Sequence, residues 1–120
     1  MSTRLLFGYY SLSTSSVSLD FLPEDSRKRL PGYPVSFARI GRLARDIRGR
    51  GKGVGAYLLI DAFERIIAIS EEIGIHAVEV DAKEQYARKF YLRFGFKELL
   101  DDQLHLLITT KTIRKALMSG

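Results

Sequence analysis

Glycines alternate with other residues at positions 50–55, which read RGKGVG. Glycine lets the backbone come close to a ligand, because it carries no Cβ atom. The helix predicted to follow leaves its first N–H groups unpaired, and its dipole favours negative charge. A turn of this kind is a site for a pyrophosphate, and Arg48, Arg50 and Lys52 place cationic side chains around it.

Two other phosphate-binding motifs overlap these residues. Residues 51–56, GKGVGA, satisfy the dinucleotide pattern G-x-G-x-x-G/A, which requires an acidic residue after the next strand, about twenty residues on. Glu71 has that spacing but falls at the end of a predicted helix. A Walker loop needs Ser or Thr after Gly-Lys, and Gly53 follows Lys52 instead. The remaining alternative is a glycine-rich connector with solvated arginines.

Hydrophobic spacing predicts the elements that position this turn. In the first half we expect a strand at 4–12, a turn at 13–16, a strand at 17–21 that forms a hairpin with the first, a short helix at 23–30 and a strand at 35–45. In the second half we expect a helix at 53–73, a strand at 75–82, a helix at 83–94, strands at 96–99 and 104–110, and a helix at 111–118. Gly74 and Gly95 are placed to end the two long helices.

The strand at 35–45 carries an irregular apolar pattern. Its spacing shifts between Phe37 and Ile40, and Gly41 follows. This predicts a β-bulge that separates the strand from its neighbour and opens a slot. Because helices alternate with strands in the middle of the chain, we expect a mixed sheet with some parallel neighbours.

Composition indicates an ordinary soluble protein. A chain of 120 residues predicts one domain, 1–120, and the apolar fraction of 46% and charged fraction of 28% are typical of globular proteins. The lack of cysteine excludes disulfides and thiolate chemistry, and two distant histidines make a metal site unexpected. We find no signal peptide and no membrane span, so we expect a cytoplasmic protein.

The net charge of +5 is unevenly distributed. Residues 27–52 contain nine arginines and lysines but a single acid, Asp46. A basic span of this kind favours a polyanion such as RNA through counterion release. The alternative is a solvated basic face that keeps the protein soluble.

The glycine turn resembles the acetyl-CoA loop of the GNAT superfamily of acyl-CoA N-acyltransferases, Q/R-x-x-G-x-G/A, with Arg50, Gly53 and Gly55 in the defining places. Residues 87–96, ARKFYLRFGF, resemble the second signature of that family. The resemblance implies an α/β (α+β) GNAT-like fold, in which helices flank a mixed, mostly antiparallel sheet. It also implies acetyl-CoA as co-substrate, held by Leu43, Ala44, Arg45, Arg50, Gly51, Lys52, Gly53, Val54, Gly55, Ala56 and Phe90.

The same resemblance assigns a catalytic role to Tyr91. In the family, the corresponding hydroxyl lies near the CoA sulfur and acts as general acid on the departing thiolate. The periodicity of Tyr86, Phe90, Tyr91 and Phe94 is equally typical of a hydrophobic core. The sequence is therefore compatible both with a catalytic role for Tyr91 and with a place in the hydrophobic core.

Further stretches, at 8–13, 29–34 and 41–46, resemble one branch of the superfamily, the GNAT toxins of type II toxin–antitoxin pairs. This implies acetyl transfer to the α-amine of aminoacyl-tRNA, which blocks translation, together with a ribbon-helix-helix antitoxin partner and a homodimer. Family members place a strand and two helices before the strand that contains Gly8. We therefore expect an N-terminally truncated fold with a complete donor site and an acceptor site that lacks one wall.

The acceptor chemistry places few demands on the protein. An α-amine has an ordinary pKa of about 7.7–8.0, so a fair fraction is neutral at pH 7 without a strong base. No carboxylate is a convincing general base, and Glu79 is the nearest candidate by position, while His76 and His105 are expected to be structural. Arg45 stands where the family has an apolar residue. The contact that the family makes at this position, with the pantetheine amides, comes from the main chain, so Arg45 can still make it. The alternatives are a GNAT that acetylates a protein N-terminus or small amine, and a truncated module that binds CoA or antitoxin without turnover.

Overall fold

The computed structural model describes residues 10–15, 19–28, 30, 36–41, 43 and 52–119. In chain order the elements are β1 (Ser11–Ser15), a 3₁₀ helix (Leu19–Phe21), α1 (Glu24–Arg27), β2 (Ser36–Gly41), α2 (Lys52–Ile73), β3 (Ile75–Asp81), α3 (Gln85–Arg93), β4 (Lys97–Glu98), β5 (His105–Thr109) and α4 (Thr110–Ser119). From Lys52 onward this order is the predicted one. Among the described helices, none is both long enough and apolar enough to cross a membrane.

The five described strands form one mixed sheet in the order β1-β2-β3-β5-β4. Only the β2–β3 pair is parallel within this sheet, and the other three pairs are antiparallel. A parallel pair needs a crossover connection, and α2 provides it. The prediction of a mixed, mostly antiparallel sheet flanked by helices is therefore confirmed.

The N-terminal predictions are partly wrong. Residues 13–15 belong to β1 rather than to a turn, and Leu19–Phe21 is a 3₁₀ helix rather than part of a strand. Strand β1 pairs with β2, from Ser11↔Gly41 to Ser15↔Phe37, and not with a hairpin partner. The serines look like a turn in sequence, but β2 offers them a full-length partner, and such context overrides local preference in strands. Residues 4–9 and 16–18 lie outside the described part of the chain.

Two clusters of apolar side chains cover opposite faces of the sheet. The larger one holds residues of α2, α3 and α4 against the sheet, including Leu58, Ala62, Ile66, Phe90 and Ile113. The smaller one consists of Leu22, Leu30, Phe37, Ala77, Leu99 and Leu107. Strand β2 contributes to both, because Ala38 and Ile40 join the larger cluster while Phe37 joins the smaller.

The predicted bulge between Phe37 and Ile40 is wrong in position. The shift in apolar spacing has another cause, which is that β2 is buried on both faces. The register irregularity lies between Ser36 and Phe37, opposite His76, and β2 ends at Gly41 rather than at position 45. The described β2–β3 pairing stops at Arg39↔Glu79, although the strands continue to Gly41 and Asp81. Among the described residues, no rung joins the two parallel strands beyond this one.

Two glycines end helices as predicted. Gly74 follows α2 with φ of 72°, and Gly95 follows α3 with φ of 100°. Glycine adopts these left-handed conformations without the steric cost of a Cβ atom. The chain can therefore turn sharply into β3 and toward β4.

Candidate functional site

The N-termini of α2 and α3 lie at the same edge of the sheet. Helix α2 crosses back from the carboxyl end of β2 to begin β3, so its N-terminus lies near that carboxyl end. Helix α3 begins at Gln85, four residues after β3 ends at Asp81. Because β2 and β3 are parallel, both helices start toward the edge of the sheet where the carboxyl ends of these two strands lie.

The first turn of α2 has an open backbone. The helix begins at Lys52, so its unpaired N–H groups belong to the glycine-rich stretch. Gly53 is exposed, and a Cβ atom placed there would meet nothing within 4 Å. Its backbone does not have positive φ, which distinguishes it from Gly74 and Gly95. The conformation therefore does not require glycine at 53, and the open space is what a closely approaching ligand would need.

The remaining residues predicted to contact acetyl-CoA divide into two groups. Gly55 is buried and Ala56 is half-buried in the first turns of α2, while Leu43 is fully buried in the larger apolar cluster. The side chain of Leu43 thus serves the core, and only its main chain is left for a ligand. Outside the described part of the chain lie Ala44, Arg45, Arg50, Gly51 and the side chains of Lys52 and Val54.

Helix α3 carries Tyr91 and Phe90 into the core. Tyr91 is 1% exposed, and its ring centroid lies 5.5 Å from that of Phe90 and 5.1 Å from that of Phe96. Tyr86, by contrast, is exposed, so the aromatic residues do not form one continuous buried stripe. Burial raises the pKa of the Tyr91 phenol. The hydroxyl therefore stays protonated at neutral pH, which is the state that a general acid requires.

A charged cluster occupies the opposite face of the sheet. Glu79, on the central strand β3, is 3% exposed and accepts hydrogen bonds from Arg39 at 3.2 Å, from His105 Nε2 at 2.5 Å and from Ser15 Oγ. Arg39 also donates to Asp81 at 2.5 Å. Side chains from β1, β2, β3 and β5 thus meet at one carboxylate. A buried carboxylate needs such partners, because an unpaired one is costly to desolvate.

His105 links this cluster to Asp101. Its Nδ1 lies 3.0 Å from Asp101 Oδ2, while its Nε2 contacts Glu79. Burial lowers the pKa of His105, but the hydrogen bonds to Glu79 and Asp101 outweigh it and raise the pKa above the ordinary value. Both ring nitrogens therefore face a carboxylate, and the imidazolium form satisfies both.

The profile of the acetyltransferase (GNAT) domain matches residues 33–110, which is more than half of the chain.

The chain belongs to the GNAT acetyltransferase family.

One similar protein is a tRNA-acetylating toxin of Mycobacterium tuberculosis, which is 36% identical over 107 residues. The alignment covers 89% of this chain and 64% of the toxin. The chain therefore spans less than two thirds of the length of this relative.

Two solved structures resemble the fold closely. AtaT complexed with acetyl-methionyl-tRNAfMet has a TM-score of 0.71 at 25% identity, over 90% of this chain and 65% of that one. AtaTR bound with AcCoA has a TM-score of 0.68 at 28% identity, over 90% of this chain and 64% of that one. The GNAT-like fold expected from the sequence is confirmed.

The cluster around Glu79 changes the interpretation of the basic span. Arg39 is not a free cation, because it is paired with two carboxylates. Arg27 lies 3.9 Å from Asp20, a loose and largely exposed pair. Five further arginines, at positions 29, 42, 45, 48 and 50, lie outside the described residues. We therefore do not count Arg39 among the cationic side chains proposed to bind a polyanion.

The sequence indicates Glu79 only as the nearest candidate for a general base, and it does not predict the link from Arg39 through Glu79 to His105. The alternation of β3 places Glu79 and Asp81 on one face. Their partners come from strands that are neighbours only in the folded sheet. No group of three or more metal-ligating side chains occurs in the part of the chain that the structure describes.

We predict that His105 stabilises the fold in a pH-dependent way. Its pKa is higher in the folded state, so its contribution is complete below the unfolded pKa of about 6.5 and is lost as pH rises through the folded pKa. At pH 6 the unaltered protein should exceed His105→Gln in unfolding free energy by about 1–2 kcal/mol. Urea unfolding between pH 6 and 9 should show this difference shrinking as pH rises.

Asp101→Asn is the companion variant, because it removes one of the two carboxylates that raise the pKa of His105. It should weaken the pH dependence while leaving the Glu79 contact in place. A stability difference between the unaltered protein and His105→Gln that stays constant from pH 6 to 9 would contradict the assignment.

Proposed function

We propose that this chain is an N-acetyltransferase that moves an acetyl group from acetyl-CoA to the α-amine of aminoacyl-tRNA. The observation that carries the proposal is that the topology starts α2 and α3 at the same edge of the sheet. Gly53 in the first turn of α2 is open, α3 carries Tyr91, and no described rung joins β2 and β3 beyond Arg39 and Glu79. In a GNAT family member this combination fits a pantetheine arm that enters between the strands.

The donor assignment rests on the first turn of α2. Its unpaired N–H groups and dipole favour the pyrophosphate of acetyl-CoA, and the open space at Gly53 allows close approach. We propose that residues 51–56 and the main chain at 43–45 hold the donor, with Phe90 packed beside it. AtaTR, a structural neighbour, has been solved with AcCoA, which supports the same class of donor here.

The proposed chemistry is direct transfer. The amine nitrogen attacks the thioester carbonyl and loses its proton to solvent, and the bond from the carbonyl carbon to sulfur breaks. Tyr91 donates its phenolic proton to the departing thiolate and regains one from solvent. The products are an amide and free CoA. Because the α-amine is partly neutral at pH 7, the reaction does not depend on a strong base.

The acceptor assignment rests on the relatives and on charge. The similar mycobacterial protein is named a tRNA-acetylating toxin, and AtaT has been solved with acetyl-methionyl-tRNAfMet. The basic span at 27–52, without Arg39, suits a tRNA backbone. As a toxin the protein would act in the cytoplasm, as one domain over residues 1–120, within a homodimer and against a ribbon-helix-helix antitoxin. These last points rest on the family resemblance.

The donor site is tested by titrating acetyl-CoA into the protein in a calorimeter. We expect stoichiometric binding, which Gly53→Asp should abolish, because the added carboxylate meets the pyrophosphate with both bulk and like charge. Gly53→Ala is the matched control for folding, since a methyl group at 53 meets no protein atom within 4 Å. Both variants should keep the thermal stability of the unaltered chain. Normal acetyl-CoA affinity in Gly53→Asp would exclude this turn as the donor site.

The role of Tyr91 is tested by Tyr91→Phe, which removes the hydroxyl and keeps the ring packing. Turnover should fall by about a hundredfold or more, the usual range for loss of general acid catalysis, while acetyl-CoA affinity changes little. Tyr86→Phe is the control, because Tyr86 lies on the same helix but is exposed. A Tyr91→Phe variant with full turnover would refute the acid role.

The acceptor is tested by comparing radiolabelled acetyl transfer to charged tRNA, deacylated tRNA, a peptide N-terminus and a small amine. We expect transfer to charged tRNA alone, with the label released from tRNA by mild base as an acetyl-amino acid. Preference for the peptide or the small amine would favour the alternative GNAT substrates. Acetyl-CoA binding without transfer to any of them would favour a non-catalytic module.

A further inference from the structure

Arg39 stands at the last described rung between the two parallel strands. The register runs Phe37↔Ala77, Ala38↔Val78 and Arg39↔Glu79, after which β2 and β3 have no described backbone pairing. Beyond this rung the described residues of β2 pair with β1, and those of β3 pair with β5. The backbone alone therefore does not fix how far the two strands separate after Arg39 and Glu79.

The Arg39 side chain bridges the strands at this point. One guanidinium nitrogen lies 3.2 Å from Glu79 Oε1, and another lies 2.5 Å from Asp81 Oδ2. Glu79 is on the last rung, but Asp81 lies two residues further along β3, where no backbone bond to β2 is described. The guanidinium thus connects β2 to the separating part of β3.

The anchor of this bridge, Glu79, is buried and has several partners. Glu79 is 3% exposed and is held by Ser15 of β1 and His105 of β5 as well as by Arg39. Arg39 and Asp81 are 35% and 45% exposed, so the second contact is reachable by solvent and by ligands. The bridge therefore runs from a buried contact with Glu79 to an accessible contact with Asp81.

We propose that Arg39 is a positioning residue for acyl transfer, because its two contacts on β3 set the width of the opening that receives the thioester arm. The proposal rests on the proposed function, in which the thioester lies between β2 and β3. The reacting carbonyl must be held close to both the amine and Tyr91, and misplacement by about 1 Å can lower a rate a hundredfold. Arg39 touches neither substrate in this assignment and acts through the strands.

The proposed role requires the planar geometry of the Arg39 guanidinium and not only its positive charge. A guanidinium presents several donors in a fixed plane and can bond two carboxylates at once, whereas an ammonium is a point charge on a flexible stem. Arg39→Lys keeps the charge and should still lose the bridge. Asp81→Asn removes the outer charge-assisted contact and leaves the buried Arg39–Glu79 pair intact, so it tests the bridge with little risk to folding.

The experiment measures two quantities for Arg39→Lys and Asp81→Asn. The first is backbone amide exchange at residues 40–41 and 80–82, which should become about fivefold faster or more, since local opening is no longer opposed by the bridge. The second is acetyl transfer, in which kcat should fall about tenfold while KM for acetyl-CoA changes less than about threefold. Arg65→Lys is the control, since the Arg65–Asp61 pair has comparable exposure and lies within α2.

Each outcome decides the proposal. Unchanged exchange and unchanged kcat in both variants would overturn it, and so would faster exchange with normal kcat, because Arg39 would then be structural only. An equal loss in Arg65→Lys would also count against it. If the unaltered protein neither binds acetyl-CoA nor transfers acetyl groups, the proposed function fails and the positioning role fails with it. The exchange data would still report whether Arg39 holds the strands together.

Discussion

Strands β2 and β3 run parallel, and the chain between them must cross one face of the sheet through α2. This crossover places the N-terminus of α2 at the carboxyl end of β2. It also brings the end of β3, and therefore the start of α3, to the same edge. The start of α2 near Gly53, the ends of the two strands and the start of α3 are thus brought to one edge of the sheet by one parallel pairing in a sheet that is otherwise antiparallel.

The central strand β3 serves two different environments. Val78 and Val80 face the helices, where they pack in the larger apolar cluster with Phe90 and Tyr91. Ala77, Glu79 and Asp81 face the other way, and along this face the environment changes from the smaller apolar cluster at Ala77 to the charged cluster at Glu79. Burying Glu79 is tolerable only because three strands supply donors to it, and removing one partner would leave a charge with too little compensation. The charged cluster is therefore specified by the sheet order as a whole.

Local patterns predict the second half of the chain well. Helix α2 has clear apolar periodicity and ends at Gly74, and α3 ends at Gly95, so each boundary carries its own signal in sequence. Short motifs likewise indicate the donor turn and Tyr91, and the described part of the turn, from Lys52, and Tyr91 lie on the predicted helices. The roles proposed for them remain predictions, and several of the motif residues lie outside the described part of the chain.

The features that local sequence patterns did not predict depend on contacts between residues that are far apart in the chain. Residues 13–15 look like a turn until β2 provides a partner, and the apolar shift from Phe37 to Ile40 looks like a bulge unless β2 is known to be buried on both faces. The bonds from Glu79 to Arg39 and His105 cross 40 and 26 positions of the chain, respectively, so no spacing rule reveals them.

The positive charge of the chain is concentrated in one span of the sequence. Residues 53–120 contain nine arginines and lysines and ten acids, and several of these pair with one another, as Arg65 does with Asp61 and Arg88 with Glu98. The excess positive charge of the chain therefore comes from the span at 27–52. Among the described members of that span, Arg39 pairs within the sheet with Glu79 and Asp81. Arg42, Arg45, Arg48 and Arg50 precede the donor turn closely in sequence, so a polyanionic acceptor attracted to them would come near the proposed donor site.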